Sequence, residues 1–483
     1  MYTEDSINDE NDTIKQRTKV KKHEAGHISM MEQEESESSL CSLQMQMSGY
    51  LQRSDNRAFQ LYPGVEMADF NLTNERQNLY STNILVSTAH LMKGCLGAGI
   101  LGIHEGYMNG GLWASFGATA VLGLLVPYCM YMLVTSAQIM YIRLRVAKLS
   151  YPDLAESVVA TGPVSFFRKY SRIVRYIVEL VIFIQFNGTC CIFEIMIAHT
   201  IKQVAEALIP SAQTSALSIT IYITISAVPL LLLCMLRSLK YLAPFSFIAD
   251  IFTVTCVVAT VYYSITEAKS IQAAPAWKGL EGFFRSCGVC MYSLDGVSIA
   301  LPVENNMREP QYFGLVLQIG MSVVVSCVAA VGFIGYLAWG EQCRSPITLH
   351  MPNDILPLLM QCLLTASLSV TFAVHFWVTF RVLWHYIILK HERARGCWER
   401  CYRGIHIVLL SCLSIAFPNQ IKWMSFIGNF FMGFAVFVLP AAIETMVKWS
   451  DTSAICFSLI VFKNICLMML GLVLCAGAIY SYD

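Results

Sequence analysis

Between Ser81 and Tyr107 the sequence reads STNILVSTAHLMKGCLGAGILGIHEGY, an apolar segment interrupted by Gly94, Gly97, Gly99 and Gly102. A helix that unwinds at such a place frees N–H groups at one half-helix end and C=O groups at the other. The N–H end carries partial positive charge and suits a carboxylate; the carbonyls suit an ammonium or another cation. Gly97 and Gly99 have no side chain to keep a ligand off the backbone. The stretch Gly94, Cys95, Leu96, Gly97, Ala98 and Gly99 is therefore read as backbone that binds a small zwitterion. Close helix packing of the GxxxG kind is the alternative, but the spacing here is Gly94-x-x-Gly97-x-Gly99 with Lys93 adjoining, which favours binding. His90 precedes the glycines by one turn. Histidine titrates near neutral pH and can take up and release a proton, although a lone buried histidine is otherwise a hydrogen-bonded core residue.

A second segment, GFFRSCGVCMYSLDGVSIALPV from Gly282 to Val303, breaks at Asp295-Gly296, with Ser293 alongside. Asp295 can meet a substrate amine, pair with His90 or Lys93, cap the following half-helix or carry a proton. Ser293, Asp295 and Gly296 join the binding set, and His90 and Asp295 form the proton-handling set. Other buried ionisable residues (Glu194, His199 and Asp250) rank below these, because each can pair with a neighbouring helix or lie at a span edge. Glu304 and Arg308 are expected at an inner boundary, as a salt bridge or a solvated loop. His104 and Glu105, adjacent in sequence, point to different helix faces and are expected at the outer mouth in a gate or solvent-facing role. No nucleophile elbow, phosphate loop or metal-ligand helix is present, so neither an enzyme nor a metal site is expected; no cofactor is expected, and the proton is the expected coupling ion.

These residues must be held by membrane-spanning helices. Of 483 residues 55% are hydrophobic and only 14% charged, where a soluble domain carries about a quarter charged. The net charge is zero, which argues against a nucleic-acid partner. Most of the eighteen cysteines lie in apolar stretches as small packing residues. Apolar stretches long enough to cross a bilayer fall at about 82–107, 111–138, 174–200, 216–236, 241–265, 282–303, 312–338, 354–388, 404–417, 421–443 and 456–479. This predicts an all-α membrane protein of about eleven transmembrane helices. Inner loops then collect sixteen Lys and Arg, Arg143, Arg145 and Arg175 among them, against five outside (Lys202, Lys269, Lys278, Arg344 and Lys422), which places the N-terminus in the cytosol. No signal peptide is expected. Two blocks of five spans must lie inverted relative to each other, and the broken segments are the first span of each, as a 5+5 inverted-repeat carrier requires. The expected divisions are a disordered cytosolic tail at 1–78, a first repeat at 79–266, a second at 267–445, and an eleventh helix with a short C-terminus at 446–483.

With these motifs in view, the chain resembles the proton-coupled amino acid transporters, a branch of the amino acid/auxin permease superfamily. His90-Leu91-Met92-Lys93-Gly94 with Gly97, Gly99, Leu101 and Gly102 is similar to the family's HLLKGNIGTGLLGLP signature. Asp295-Gly296 and Leu301-Pro302-Val303-Glu304-Asn305 resemble its FEGIG…LPLEN stretch. The resemblance implies a leucine-transporter-like core with broken helices 1 and 6 that moves small neutral amino acids together with protons, with the proton-sensing histidine at His90. Cys95, Ala98, Asp295 and His104 stand where the family has asparagine, threonine, glutamate and proline, so the cavity's shape and polarity differ. Alternatives that remain are an amino-acid sensor with little transport, and a sodium-coupled or uncoupled carrier. The expected location is the plasma membrane or a lysosomal or endosomal membrane; the oligomeric state is not read from the sequence.

Overall fold

The computed structural model describes residues 82–208, 218–236, 243–267, 274–352, 354–390, 397–449 and 453–482. The expected tail at 1–78 lies outside them. Among the described residues the chain is all α, with no strand beyond one isolated bridge between Thr82 and Met307.

The helices run in order α1 (Ile84–Cys95), α2 (Ala98–Gly110), α3 (Leu112–Leu144), α4 (Tyr151–Thr161), α5 (Ser165–Arg168), α6 (Ser171–Leu208) and α7 (Ile219–Cys234). They continue with α8 (Ala243–Glu267), α9 (Leu280–Ser293), α10 (Val297–Asn306), α11 (Phe313–Trp339) and α12 (Ile355–Lys390). The last are α13 (Cys397–Ala416), α14 (Gln420–Phe426), α15 (Leu439–Val447) and α16 (Ala454–Tyr480). Every apolar stretch singled out in the sequence coincides with one of these helices or a consecutive group of them. Among the described residues seven helical segments are long and apolar enough to cross a membrane, and α1 with α2, bent by 50° at their junction, makes an eighth. Shorter apolar helices add α7 and the 251–267 part of α8.

Several elements depart from the sequence reading. The short span expected at 404–417 begins seven residues earlier, at Cys397, and stops at Ala416 just before Pro418, whose missing N–H and ring end the helix. The stretch 421–443 is not one regular helix: between α14 and α15 the backbone winds as π-helix at Ile427–Met432 and Phe434–Val438. The loop after α3 folds into α4, which apolar periodicity alone did not single out. Ser150 caps α4, its Oγ accepting from the Asp153 N–H at 3.3 Å and donating to Asp153 Oδ2 at 2.6 Å, with Pro152 in the first turn.

What places the two broken segments side by side is a set of glycine contacts too close for any other residue. A Cβ on Gly99 would collide with the Ser293 backbone, one on Gly282 with the Asn109 carbonyl, and one on Gly110 would come 2.7 Å from Ser286 Cβ. On the other side of α9, Gly288 and Gly428 pack backbone against backbone. Gly111, with φ of 91°, makes the turn from α2 into α3.

At the end of the bundle expected to face the cytosol, Arg175 of α6 ties three elements together. Its guanidinium contacts Glu179 at 2.9 Å, Glu156 at 3.3 Å and Asp153 at 3.5 Å, the last two on α4. Tyr386 of α12 donates to the other Glu179 oxygen. Burial holds the Asp153 carboxyl above its ordinary range, against the opposing pull of Ser150 and Arg175. Three carboxylates around one mostly buried cation make its removal costly, because all three lose their counter-charge at once. Arg175→Met is expected to lose about 3–5 kcal/mol, read as a fall of several degrees in the apparent melting temperature of the detergent-solubilised protein. Glu156→Gln is expected to change it little, since Arg175 keeps two partners.

Candidate binding site between the broken helices

The first break is short. α1 ends at Cys95; the Leu96 N–H still reaches Met92 O at 2.8 Å, and the Gly97 N–H turns back onto Cys95 O at 2.9 Å. α2 begins at Ala98 behind Gly97, which supplies no side-chain cap. The first-turn N–H groups of α2 therefore have no partner from the helix or a cap, and they carry the positive end of its dipole. The second break runs from Leu294 to Gly296, between the C-terminal end of α9 and the N-terminal end of α10. The two breaks touch: Gly99 packs on Ser293, Gly94 on Ile299, and Gly296 on the Cys95 sulfur.

Beside this junction lies a cavity of about 210 Å³. Its wall includes His90, Lys93 and the whole run from Gly94 to Gly99, Asp295 and Ser298 from the second break, Gln185, Phe186, Thr189 and Phe193 of α6, and Thr371 and His375 of α12. Of the residues picked from the sequence, Gly94 to Gly99, His90 and Asp295 are thus brought together. Ser293 and Gly296 are not in the wall. Ser293, 1% exposed, donates to Val289 O at 2.8 Å, and Gly296 is packed behind Cys95 and Met130.

Asp295 does not cap α10, whose N-cap position is Gly296 with no side-chain bond. Its Oδ2 instead accepts from Gln185 Nε2 at 2.7 Å, while its Oδ1 is buried without a partner. Among the described residues no other buried carboxylate has an unpartnered oxygen. Gln185 Oε1, Ser298 Oγ and His90 Nε2, all from cavity-lining residues, are buried and unpartnered too. Buried polar groups are normally satisfied, so four such atoms around one cavity mark a place made for a ligand or water.

The remaining ionisable residues fall elsewhere. Glu194 is fully buried, but Ser411 and Ser414 of α13 donate to its two oxygens at 2.6 and 2.8 Å, which makes it a satisfied helix-to-helix contact. His199 is not in the cavity wall, and the Asp250 side chain lies outside the described residues. Glu304 does not sit in a solvated loop: it is fully buried, with Gln138 and the Tyr141 hydroxyl on its two oxygens at 3.1 and 3.3 Å, whereas Arg308 is exposed. His104 is not solvent-facing either. Gly335 lets α11 pack directly against its Cβ, burying it completely, and its Nε2 bonds the Arg344 carbonyl at 3.0 Å. Glu105 accepts from Ser345 Oγ at 2.6 Å. The sequence reading missed Gln185 and His375. Gln185 is an amide in the apolar run VIFIQFNG, and a polar side chain there is a signal even without charge; His375 carries no local signal.

The model of the transmembrane amino acid transporter protein family matches residues 81–482. A Drosophila melanogaster protein described as proton-coupled amino acid transporter-like protein pathetic is 28% identical over 410 residues, covering 84% of this chain and 85% of that one. Amino acid transporter AVT3C of Arabidopsis thaliana is 25% identical over 390 residues, covering 76% of this chain and 85% of its own. Among solved structures, the inward-facing conformation of Mhp1 superposes with a TM-score of 0.52 at 11% identity, over 88% of this chain and 94% of that one. The likeness establishes the fold: a leucine-transporter-like 5+5 inverted repeat, with α1–α2 and α9–α10 as its broken first and sixth helices.

The glycines of the first break differ in what they can tolerate. A Cβ on Gly97 meets nothing within 4 Å, whereas one on Gly99 collides with Ser293 backbone. Gly97→Val is therefore expected to leave the melting temperature within about 2 °C of wild type while occupying the cavity and abolishing ligand binding. Gly99→Ala is expected to lower the melting temperature itself, because backbone cannot retreat as a flexible side chain can. A Gly97→Val protein that binds and transports normally would remove the first break from the site.

Proposed function

The chain belongs to the transmembrane amino acid transporter family, and from that footing we propose that it is a proton-coupled symporter of small neutral amino acids. The observation that carries this reading is Asp295, which shares the cavity wall with the first break and has one carboxylate oxygen buried and unpartnered. The substrate carboxylate takes the first-turn N–H groups of α2, where dipole and donors coincide. Its ammonium takes Asp295 Oδ1, Gln185 Oε1 and the carbonyls released at the end of α1. A zwitterion thus satisfies in one step groups that the protein's own side chains leave unpaired.

The coupling proton is assigned to His90. Its Nε2 is buried in the cavity wall without a partner, one turn from the break, where it is placed to take up a proton while the cavity is open to an acidic compartment and to give it up on the other side. Asp295 is the second group able to hold a proton, and ion-pairing with the substrate ammonium would discharge it. In the expected orientation, with the N-terminus cytosolic, the block 79–266 and the inverted block 267–445 rock about the joined breaks and expose the cavity to each side in turn.

Reconstituted into proteoliposomes, the protein is expected to take up radiolabelled alanine faster as the outer pH falls from about 7.5 to 5.5, with no change when sodium is replaced by choline. His90→Gln is expected to flatten that pH dependence while leaving measurable uptake. Asp295→Asn is expected to raise the KM roughly 10- to 100-fold, the size of a lost hydrogen bond between charged groups. Uptake that follows sodium and ignores pH would replace the proton, and a His90→Gln protein with an unaltered pH profile would take that residue out of the mechanism.

A further inference from the structure

We propose that His375 selects the substrate's side chain, favouring neutral amino acids that carry a hydroxyl or carboxamide donor over apolar ones of the same shape. The inference rests on the reading of the cavity as the substrate site. His375 of α12 lines the wall that α12 forms with α6, between Phe186 and Phe193, whose ring centroids lie 5.4 and 5.2 Å from its own. Leu368, Val374 and Val378 extend the same wall, so its surface is apolar apart from the imidazole, a few hydroxyls and the Gln185 amide, whose free oxygen is already assigned to the substrate ammonium.

Those hydroxyls have their hydrogens committed. Thr189 donates to Gln185 O at 2.9 Å and Thr371 to Ser367 O at 3.0 Å, each back onto its own helix. The imidazole is fixed in a different way. Its Nδ1 lies 2.9 Å from Thr371 O, and a carbonyl only accepts, so Nδ1 carries a hydrogen. In the neutral ring Nε2 is then a lone-pair acceptor, and among the described residues it has no partner. A tilted ring on one side, an edge-on ring on the other and the Thr371 bond hold that acceptor in place.

An acceptor fixed in an apolar wall discriminates through what happens when it is left unpaired. A substrate side chain with an O–H or N–H at that depth pairs it; an apolar side chain of the same volume covers it and strands it from water. Threonine and valine are the cleanest pair for this, since they differ by a hydroxyl in place of a methyl.

The test uses the purified full-length protein and measures thermal stabilisation against concentration of L-threonine, L-valine, L-alanine and L-aspartate. Threonine is expected to reach half-maximal stabilisation at roughly tenfold lower concentration than valine. His375→Leu is expected to bring that ratio to about 1, with valine binding retained. His375→Gln, whose carbonyl oxygen can occupy the place of Nε2, is expected to keep the preference. His375→Asn keeps a donor toward Thr371 but lacks the outer acceptor, and is expected to lose the preference without depending on how the leucine packs. A wild-type protein that binds valine as well as threonine overturns the proposal. So does a threonine preference that survives in His375→Leu or His375→Asn, and so does aspartate binding best, which would mean that Nε2 donates. If neither threonine nor valine stabilises the protein the selection falls; a response to alanine in the same series then says that the cavity still binds amino acids, and its absence says that the cavity reading falls as well.

Discussion

The structure depends on one constraint: a chain that breaks a helix inside a membrane must bury the break in protein or line a cavity with it. Here the chain does so by bringing two breaks against each other. The contacts that allow it are backbone approaches, Gly99 on the Ser293 backbone and Gly288 on Gly428, which a single methyl group would block. Because α2, α9 and the α14 segment are locked at these points, the ends of α1, α2, α9 and α10 converge on one place. The π-wound backbone between α14 and α15 lies against the same locked face, at Gly428. The binding site is thus a consequence of how the core packs.

The charged groups divide along the same line. Away from the cavity, buried carboxylates are matched on both oxygens: Glu179 by Arg175 and Tyr386, Glu194 by two serines, Glu444 by Lys448 and Lys463. These bind one helix to another, and Lys463 anchors α16 to α15 while also donating to Tyr128 of α3 at 2.9 Å. Among the described residues Asp295 alone keeps an oxygen in reserve. An unpaired buried acceptor costs free energy, and the fold bears that cost beside the cavity that Asp295 lines.

How much of this the sequence held depends on the kind of signal. The breaks were legible because glycines clustered in an apolar run mark either close helix packing or an unwound turn, and their spacing here suits the turn. His90 and Asp295 were legible because ionisable groups at that depth are rare. The limits of α4 and α13 were less so: the cap at Ser150 is a local cue, but α13 begins on polar residues that hydropathy does not count. Burial of His104 and Glu304 could not be read, since it depends on Gly335 letting α11 approach and on Gln138 and Tyr141 reaching across from α3. The same holds for His375. It is 80 residues from Asp295 in the chain, and only the packing of α12 on α6 gives it a place in the wall.

Two of the four substitutions that separate this chain from the motif it resembles, Cys95 and Ala98, fall where the geometry makes side chains matter least for polar recognition. Cys95, where the motif has asparagine, is 3% exposed; its sulfur packs against Gly296 and lies 3.7 Å from Met321 Sδ. Ala98, where the motif has threonine, opens α2 with 3% of its surface exposed. At both positions the backbone contributes the chemistry: Cys95 O takes the Gly97 N–H, and Ala98 begins the turn of free donors. On the reading proposed above, losing two polar side chains leaves the zwitterion's anchoring groups in place, Gln185 among them, and shifts discrimination to His375 in the wall. On that proposed reading, a first break that anchors through peptide groups alone leaves substrate choice to the helices packed around it.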